Sequence, residues 1–550
     1  MIKLHIINTI ARYEMRTLLR SWFFRIFAGL AIIGLGIFNV AVFVPASGAP
    51  WIYRALPASI PYANLIILNL GQAIVAVFLA SEFLKQDRKN DTVEVIYARS
   101  MTNAEYILGK ALGILSVFFI LNLIVLIMGI GFSFISSDST QGILEFFFYP
   151  LLISVPTLVF ILGLSFFLMT VLKNQAITFI ILLGYIALTI FYLNTKYYHL
   201  FDYIAYQIPM MNSTIGGFGN FYEVLMHRGI YLFFGLGLIF FTVFKLERLP
   251  QSRKMASFPI LLTIVSLCLA GFFAEKYISI KKGDISFKKQ MIQLNNDFVN
   301  APKVKVTSCD IELEHLGKEI AVMAGLGICN ETDFGIDTLI FSLNPSLRII
   351  SAGSHGEKLQ YKRKMHLLMI KYPGGLLPGD SAELSINYQG TINESTHFLD
   401  QNLDGYEDNF SLEIFRVRKR YAYLQDGFVC LTSGSLWYPT SGVGYASTKP
   451  ALHFPDFTKF TLKVKTDTNL VAVSQGGLNK TSPGEFEFKP KVALPKISLL
   501  IADYNKYSIK VDSIEYSLFA KEGNQYFLDH FNDFTDSLPN FRSATAFCVG

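Results

Sequence analysis

Charged residues are scarce in this chain: Asp, Glu, Lys and Arg make up 16% of its 550 residues and hydrophobic residues 52%, against about 25% and about 45–50% in soluble proteins. Cysteine is scarce too. Five cysteines are too few for a disulfide scaffold, and none are paired at C-x-x-C spacing, which excludes the common zinc and redox sites. Cys309 and Cys329 are candidates to pair on an oxidising side, against the reading in which all five are small buried apolar residues. No Gly-rich loop ends in Gly-Lys-Ser/Thr, so the backbone amides, lysine and magnesium-binding hydroxyl needed for ATP hydrolysis converge nowhere. Gly109-Lys110 is followed by Ala111 and reads as packing and anchoring. The nine histidines include no pair four apart and no H-E-x-x-H, so no metal site is expected. No cofactor and no nucleic acid is indicated. Beyond Tyr277, long apolar runs are missing as well.

Before Tyr277 they dominate. A bilayer core of about 30 Å takes roughly 20 apolar residues of helix. Ser21–Val44, Ile60–Ala80, Tyr106–Phe134, Phe146–Leu172, Gln175–Leu193, Arg228–Leu246 and Phe258–Ala274 supply that length or nearly so. Basic residues collect in alternate gaps. Arg12, Arg16, Arg20 and Arg25 flank the start of the first span; Lys85, Arg88, Lys89, Arg99 and Lys110 lie between the second and third. Lys173 follows the fourth, and Lys245, Arg248, Arg253 and Lys254 separate the sixth from the seventh. The excess of Lys and Arg in cytoplasmic loops places the N-terminus in the cytoplasm, and an odd number of spans puts residues 277–550 outside.

Ala46-Ser47-Gly48-Ala49 offers small residues like those of a signal-peptide cleavage site. The apolar run before it exceeds the usual h-region of about 7–15 residues, however, and Leu4–Leu19 is itself helix-patterned. Ile7, Ile10, Tyr13, Met15 and Leu18 fall loosely on one side of that segment, which reads as an amphipathic helix at the cytoplasmic interface. Within the hydrocarbon portions essentially no charge is expected, which argues against a proton-coupled carrier.

The polar segment Ser81–Gly113, SEFLKQDRKNDTVEVIYARSMTNAEYILGKALG, lies between two spans. Glu82, Arg88, Asp91, Glu94 and Arg99 read as a compact charged hairpin fit to dock on another protein, or as a solvated loop whose lysines snorkel. Together with the six spans through Leu246 and the amphipathic start, its "E…R…T-V-E…A-R-S…Y-I-L-G-K" pattern resembles the permease subunit of type-2 ABC exporters, over residues 1–250. That resemblance implies a six-span bundle in a bacterial plasma (inner) membrane and a separate nucleotide-binding ATPase subunit meeting the Glu82–Arg99 loop. It further implies a homodimer or paired permease half with the substrate path between the bundles, and short re-entrant helices at Tyr203–Phe221. The seventh transmembrane helix, within residues 251–276, is extra to that plan. Residues 277–303, with Lys281, Lys282, Lys288 and Lys289, read as a basic linker, solvated or touching membrane lipid.

Further on, the apolar period becomes two. Val304–Val306, Asp310–Glu314, Ile320–Met323, Leu339–Leu343, Leu367–Lys371, Glu383–Tyr388, Phe460–Thr466, Leu470–Val473, Phe486–Phe488 and Ile497–Ala502 read as strands. Thr391–Arg416 reads as loops. The result is a β-rich saddle or sandwich of roughly 200 residues, large enough for its own core. Leu376–Gly390 (LLPGDSAELSINYQG), Leu436–Thr440 (LWYPT) and Asp456–Asn479 (DFTKFTLKVKTDTNLVAVSQGGLN) resemble the N-terminal β domain of aminopeptidase N-like gluzincins, and the resemblance covers residues 304–507.

Activity in that family belongs to a following helical domain with H-E-x-x-H and G-x-M-E-N, neither of which is present. Ser508–Ala520 and Gln525–Leu538 are similar to that domain's opening strand and helix, so residues 508–550 read as the start of a truncated or split catalytic-like domain. The family's substrate-amine contact implies Gln425, against a plain surface-loop role. The expected function is a non-enzymatic ABC exporter permease subunit with an extracytoplasmic aminopeptidase-like β domain. The alternatives are a membrane-anchored zinc metallopeptidase whose catalytic half is missing from this chain, or a platform binding extended peptides and surface partners at sheet edges.

Overall fold

The computed structural model describes residues 3–43, 59–81, 101–136, 147–212, 221–246, 257–400, 420–443, 456–511, 514–521, 528 and 531. Two compact units emerge, one from residues 1–281 and one from residues 282–404 and 419 onward.

The first unit is helical: α1 (Leu4–Arg20), α2 (Trp22–Phe43), α3 (Ser59–Ser81), α4 (Asn103–Ser136), α5 (Val155–Leu172), α6 (Gln175–Phe191), α7 (Phe221–Lys245) and the start of α8 (Ser257–Asp297). Among the described residues, six helices are long and apolar enough to cross a membrane: α2, α3, α4, the run Phe147–Leu172 that ends in α5, α7 and α8. The remaining expected span, α6, has 17 residues, about 25 Å of helix. A two-residue turn separates it from α5. Lys173 ends α5 in the left-handed region (φ 55), and Asn174 Oδ1 accepts the Ile177 amide at 3.2 Å to cap α6.

Apolar side chains also cover helix faces that no protein covers. α2 buries Phe24, Leu35, Asn39 and Phe43 but exposes Ile26, Leu30, Ile33, Ile37 and Val40, a surface suited to hydrocarbon rather than water. Small residues set the closest helix contact. A Cβ on Gly163 of α5 would lie 2.3 Å from the Gly235 carbonyl of α7, so only glycine fits that crossing.

The basic stretch read as a linker is helical, since α8 continues through Asp297. Its Lys, Gln, Met and Ile residues are good or tolerable helix formers, and no proline interrupts the run between Pro259 and Pro302. Solvated composition and helical propensity coexist there.

The second unit is β-rich. An eight-stranded sheet has the order β14-β15-β12-β1-β2-β8-β4-β5, built from β1 (Lys305–His315), β2 (Ile320–Cys329), β4 (Leu347–Ser354), β5 (Glu357–Lys358), β8 (Ser381–Gly390), β12 (Lys459–Lys465), β14 (Gly477–Ser482) and β15 (Glu485–Lys489). Two four-stranded sheets accompany it. One joins β13 (Val471–Ser474), β16 (Leu499–Ala502), β10 (Phe428–Leu431) and β9 (Ala422–Gln425); the other joins β11 (Thr440–Ser441), β3 (Ile336–Ser342), β7 (Leu367–Leu376) and β6 (Tyr361–Lys364). A hairpin of β17 (Tyr504–Val511) and β18 (Ile514–Lys521) follows.

Alternation decides the faces. Cys309, Ile311 and Leu313 of β1 enter the core, while Glu312 and Glu314 stand opposite Lys463 and Lys465 of the parallel β12 and pair with them at 2.8 and 2.7 Å. Trp437 and Tyr388, from two phrases that carry the second resemblance, meet in the core, where the Tyr388 hydroxyl donates to the Trp437 carbonyl at 3.0 Å. Each expected strand coincides at least in part with an observed one. The candidate cysteine pair does not form: the register sets Cys309 opposite Leu326 and Cys329 opposite Lys305, and both thiols are free.

Candidate functional site

The helical unit holds a polar interior that hydropathy conceals, and its origin is a pair of prolines. Pro156 has no N–H, so the Leu152 carbonyl four residues earlier loses its helical donor. The turn just before, Pro150–Ser154, is π-helical, a form often found at functional positions. Arg228 of α7 supplies the missing donors. Its Nε donates to Leu152 O at 2.7 Å, Nη2 to Ile153 O at 2.9 Å and to Thr157 Oγ1 at 2.8 Å, and Nη1 to Tyr203 O at 2.9 Å.

By hydropathy the sixth span starts at Arg228, with essentially no charge expected in the hydrocarbon. The helix begins instead at Phe221, so Arg228 lies about two turns inside it and is 2% exposed. Asp202, also buried, accepts the Gln207 amide at 2.6 Å and lends an attractive charge to Arg228.

From Thr157 a run of side-chain hydrogen bonds passes through α3 and α4 and returns to the π turn. Asn69 Nδ2 donates to Thr157 Oγ1 at 3.0 Å and to the Ile204 carbonyl at 2.8 Å, and Gln72 Nε2 to Asn69 Oδ1 at 2.8 Å. Asn122 Nδ2 donates to Gln72 Oε1 at 3.0 Å, and Ser154 Oγ to Asn122 Oδ1 at 2.7 Å. Separately, Asn39 of α2 and Asn64 of α3 exchange two amide bonds at 2.7 and 3.0 Å. Where water is absent, polar groups persist by satisfying one another. Tyr203 and Ile204 belong to the segment expected to form re-entrant helices; no helix occurs over 200–212, and residues 213–220 lie outside the described residues. Its irregular backbone is accommodated through carbonyls that Arg228, Thr157 and Asn69 occupy. Beside the network lies an open groove of about 430 Å³ lined by Leu112, Leu115, Phe119, Asn122, Ser154 and Leu158, among others.

Gly109-Lys110 does serve packing and anchoring. A Cβ on Gly109 would lie 2.7 Å from Ile10 Cβ, and one on Gly113 2.6 Å from Glu14 Cβ, so the two glycines let α1 press against α4. Lys110 Nζ lies 3.6 Å from Glu14 Oε2, with both side chains nearly inaccessible, and 5.4 Å from the Tyr106 ring centre. The Lys3 amide donates to Glu105 Oε1 at 2.6 Å. With 34 residues α4 is about 51 Å long, some 20 Å more than a hydrocarbon core needs, and α1 packs on its first turns. The loop residues Glu82, Arg88, Asp91, Glu94 and Arg99 lie outside the described residues.

In the β unit, Gln425 is half-buried at the end of β9, and its backbone carbonyl lies 3.1 Å from His315 Nε2. A cavity of about 180 Å³ opens elsewhere in this unit; its lining includes Asn295, Cys309, His366, Thr396, Tyr438 and Asp456, not Gln425. His366 Nε2 bonds Asn295 Oδ1 at 2.6 Å. Burial, aided by the neighbouring Arg363 charge, pushes the His366 imidazole down from 6.5 to about 4. Among the described residues no group of three or more His, Cys, Asp or Glu could hold a metal ion.

No protein-family model matches the chain, and no curated protein matches it. Among solved structures, a variant of a two-domain M1 zinc metallopeptidase bound to L-tryptophan is similar over 39% of this chain and 47% of its own, at 14% identity and a TM-score of 0.28. The M1 zinc metallopeptidase from Deinococcus radiodurans is similar over 39% and 46%, at 13% identity and a TM-score of 0.29. The chain thus spans less than half the length of these structures.

Proposed function

We propose that this chain is the membrane permease subunit of an ABC-type exporter carrying an extracytoplasmic β domain, with ATP hydrolysis on a separate subunit. The supporting observation is the fate of the residues that carry the first resemblance. In Tyr106-Ile107-Leu108-Gly109-Lys110, Tyr106, Ile107 and Lys110 are buried and Gly109 admits α1, so the motif builds the joint between the N-terminal helix and the helix that leaves the charged loop. A rigid joint at that place suits a subunit driven from its Ser81–Gly113 loop by a partner. Among the described residues, six long apolar helices and the hydrogen-bonded run from Arg228 through Thr157, Asn69, Gln72 and Asn122 suit the same role.

On this reading the N-terminus is cytoplasmic, the β unit is extracytoplasmic, and two permease halves enclose the path. ATP-driven movement of lipid, peptide or polysaccharide probes, measured in vesicles containing this chain and any nucleotide-binding ATPase that copurifies with it, is the test. ATP-dependent translocation of at least one probe class is expected; vesicles in which ATP changes nothing for any class oppose the reading.

A further inference from the structure

In the β unit one imidazole is held on every side that can be named. His397 Nδ1 lies 3.1 Å from the Glu394 carbonyl, which can only accept, so the proton sits on Nδ1 and Nε2 presents its lone pair. Burial, aided by the neighbouring Lys288 charge, holds this imidazole below its ordinary range and so keeps it neutral at pH 7. Thr432 Oγ1 faces Nε2 at 3.0 Å, with a longer contact of 3.3 Å to the Tyr421 carbonyl. The Tyr421 ring stacks on the imidazole, with centroids 5.2 Å apart and planes at 24°. A Cβ on Gly434 would lie 2.7 Å from His397 Cδ2, so glycine there admits the ring.

The supports of this pair are themselves fixed. Glu394, whose carbonyl orients the imidazole, has its carboxylate bound by Arg420 Nε and by the Tyr421 amide, the latter at 3.1 Å. Phe398 directly follows His397, and Leu436 closes the turn Ser433–Ser435 that Thr432 opens. Both sit in the left-handed region, at φ 56 and 52, a conformation that bulky residues seldom adopt and that clusters at functional sites. Thr432 is half-buried, and the amides of Ser433 and Gly434, next in the chain, have no acceptor among the described residues. Phe398, Leu399, Ser433, Gly434 and Leu436 all line the cavity of about 180 Å³.

We propose that Thr432 and His397 act as nucleophile and general base in the hydrolysis of esters of short carboxylic acids, with the acyl group in the adjoining cavity. Thr432 Oγ1 attacks the ester carbonyl carbon as its proton passes to His397 Nε2, and the Ser433 and Gly434 amides receive the oxyanion. Collapse breaks the bond to the alkoxy group, which leaves as an alcohol with the proton from Nε2. Water then gives a proton to Nε2 as its oxygen attacks the Thr432 ester, and the acid departs as that proton returns to Thr432. A neutral carbonyl behind the imidazole stabilises the imidazolium less than a carboxylate would. Esters, whose leaving groups depart more readily than amines, therefore suit this pair better than amides. A cavity of this size, walled by Phe398, Leu399 and Leu436, admits a few carbons and not a long acyl chain. The activity does not depend on the transport reading.

The full chain in lipid nanodiscs tests this with p-nitrophenyl esters. The wild-type chain should turn over p-nitrophenyl butyrate, with kcat/KM rising through a midpoint below pH 6.5, and p-nitrophenyl dodecanoate far more slowly. T432A and H397Q should each lower kcat/KM at least about a hundredfold, and T432S should recover most of what T432A loses. H355Q, at an exposed histidine, should change nothing. Mass spectrometry of the quenched wild-type reaction should find the butyryl group on Thr432, a readout that stands even where a variant fails to fold; circular dichroism identifies such a variant. Folded wild-type chain without turnover, equal turnover by wild type and folded T432A, or a butyryl group on another residue overturns the proposal. Equal rates for butyrate and dodecanoate overturn the placement of the acyl group in the cavity.

Discussion

The two units solve the same problem, what to do with polar groups in an apolar interior, in different ways. In the β unit the ladders satisfy most of the backbone, the core of β1, β2 and β8 is aliphatic and aromatic, and charges such as Glu312 and Lys463 stand outside. In the helical unit the helices satisfy their own backbone except at the turn before Pro156, and the interior contains Arg228, Asn69, Gln72, Asn122 and Thr157. The difference follows from proline and from surroundings. Pro156 opens a carbonyl that only a side chain can answer, and with apolar surface on both sides of each helix, polar contacts give the bundle specificity that hydrophobicity alone does not.

The largest expected effect tests that contrast at its centre. R228L would leave the carbonyls of Leu152, Ile153 and Tyr203 without their guanidinium donor, a loss on the order of 3 kcal/mol or more. Little folded protein should be recovered from membranes. P156A restores a backbone donor for Leu152 O, so the R228L/P156A double variant should regain part of the yield, measured by size-exclusion chromatography; equal yields from the single and double variants would disconnect the arginine from the proline.

Next comes pH, which should act on the β unit. His366 titrates near 4 when folded and near 6.5 when unfolded. Between those values the unfolded chain holds more protons, so this contribution is fully present above pH 6.5 and is lost as pH falls toward 4, on the order of 3 kcal/mol in total. Hydrogen exchange on β3 and β7 should accelerate over that window, and H366F should flatten the dependence. A smaller effect, roughly 1–3 kcal/mol, is expected for G113V, which forces α1 off α4. Protease access to α1 should rise while the β unit stays protected. The smallest, roughly 0.6 kcal/mol, belongs to N39L with its lost Asn64 pair, visible as a slight fall in detergent-melting temperature.

How far these features were legible in the sequence depends on the kind of signal. Length and apolar run made α2 through α5 readable, and period-two alternation made β1, β2, β8 and β12 readable, because each is local. Arg228 escaped because a hydropathy window closes at a charge, whereas helix α7 starts at Phe221 and carries the charge inward. Pro156 was the available clue: a proline inside a helix demands a donor from elsewhere. The basic run after Tyr277 was read from charge alone, though the lack of proline before Pro302 favours continued helix. β4 and β10 escaped because their pairing with β8 and β16 is long-range, whereas four-residue β9 escaped although it pairs locally with β10 across Asp426-Gly427, a hairpin signal legible in the sequence. The charged loop, Glu82 to Arg99, was legible as a motif.

The most direct test of the central claim is affinity purification of the intact chain from native membranes in mild detergent, with and without the loop charge reversals R88E and E94R. The proposed role predicts a stoichiometric nucleotide-binding ATPase that copurifies with the wild-type chain and is depleted by the reversals. Recovery of the folded wild-type chain with no nucleotide-binding protein would contradict it.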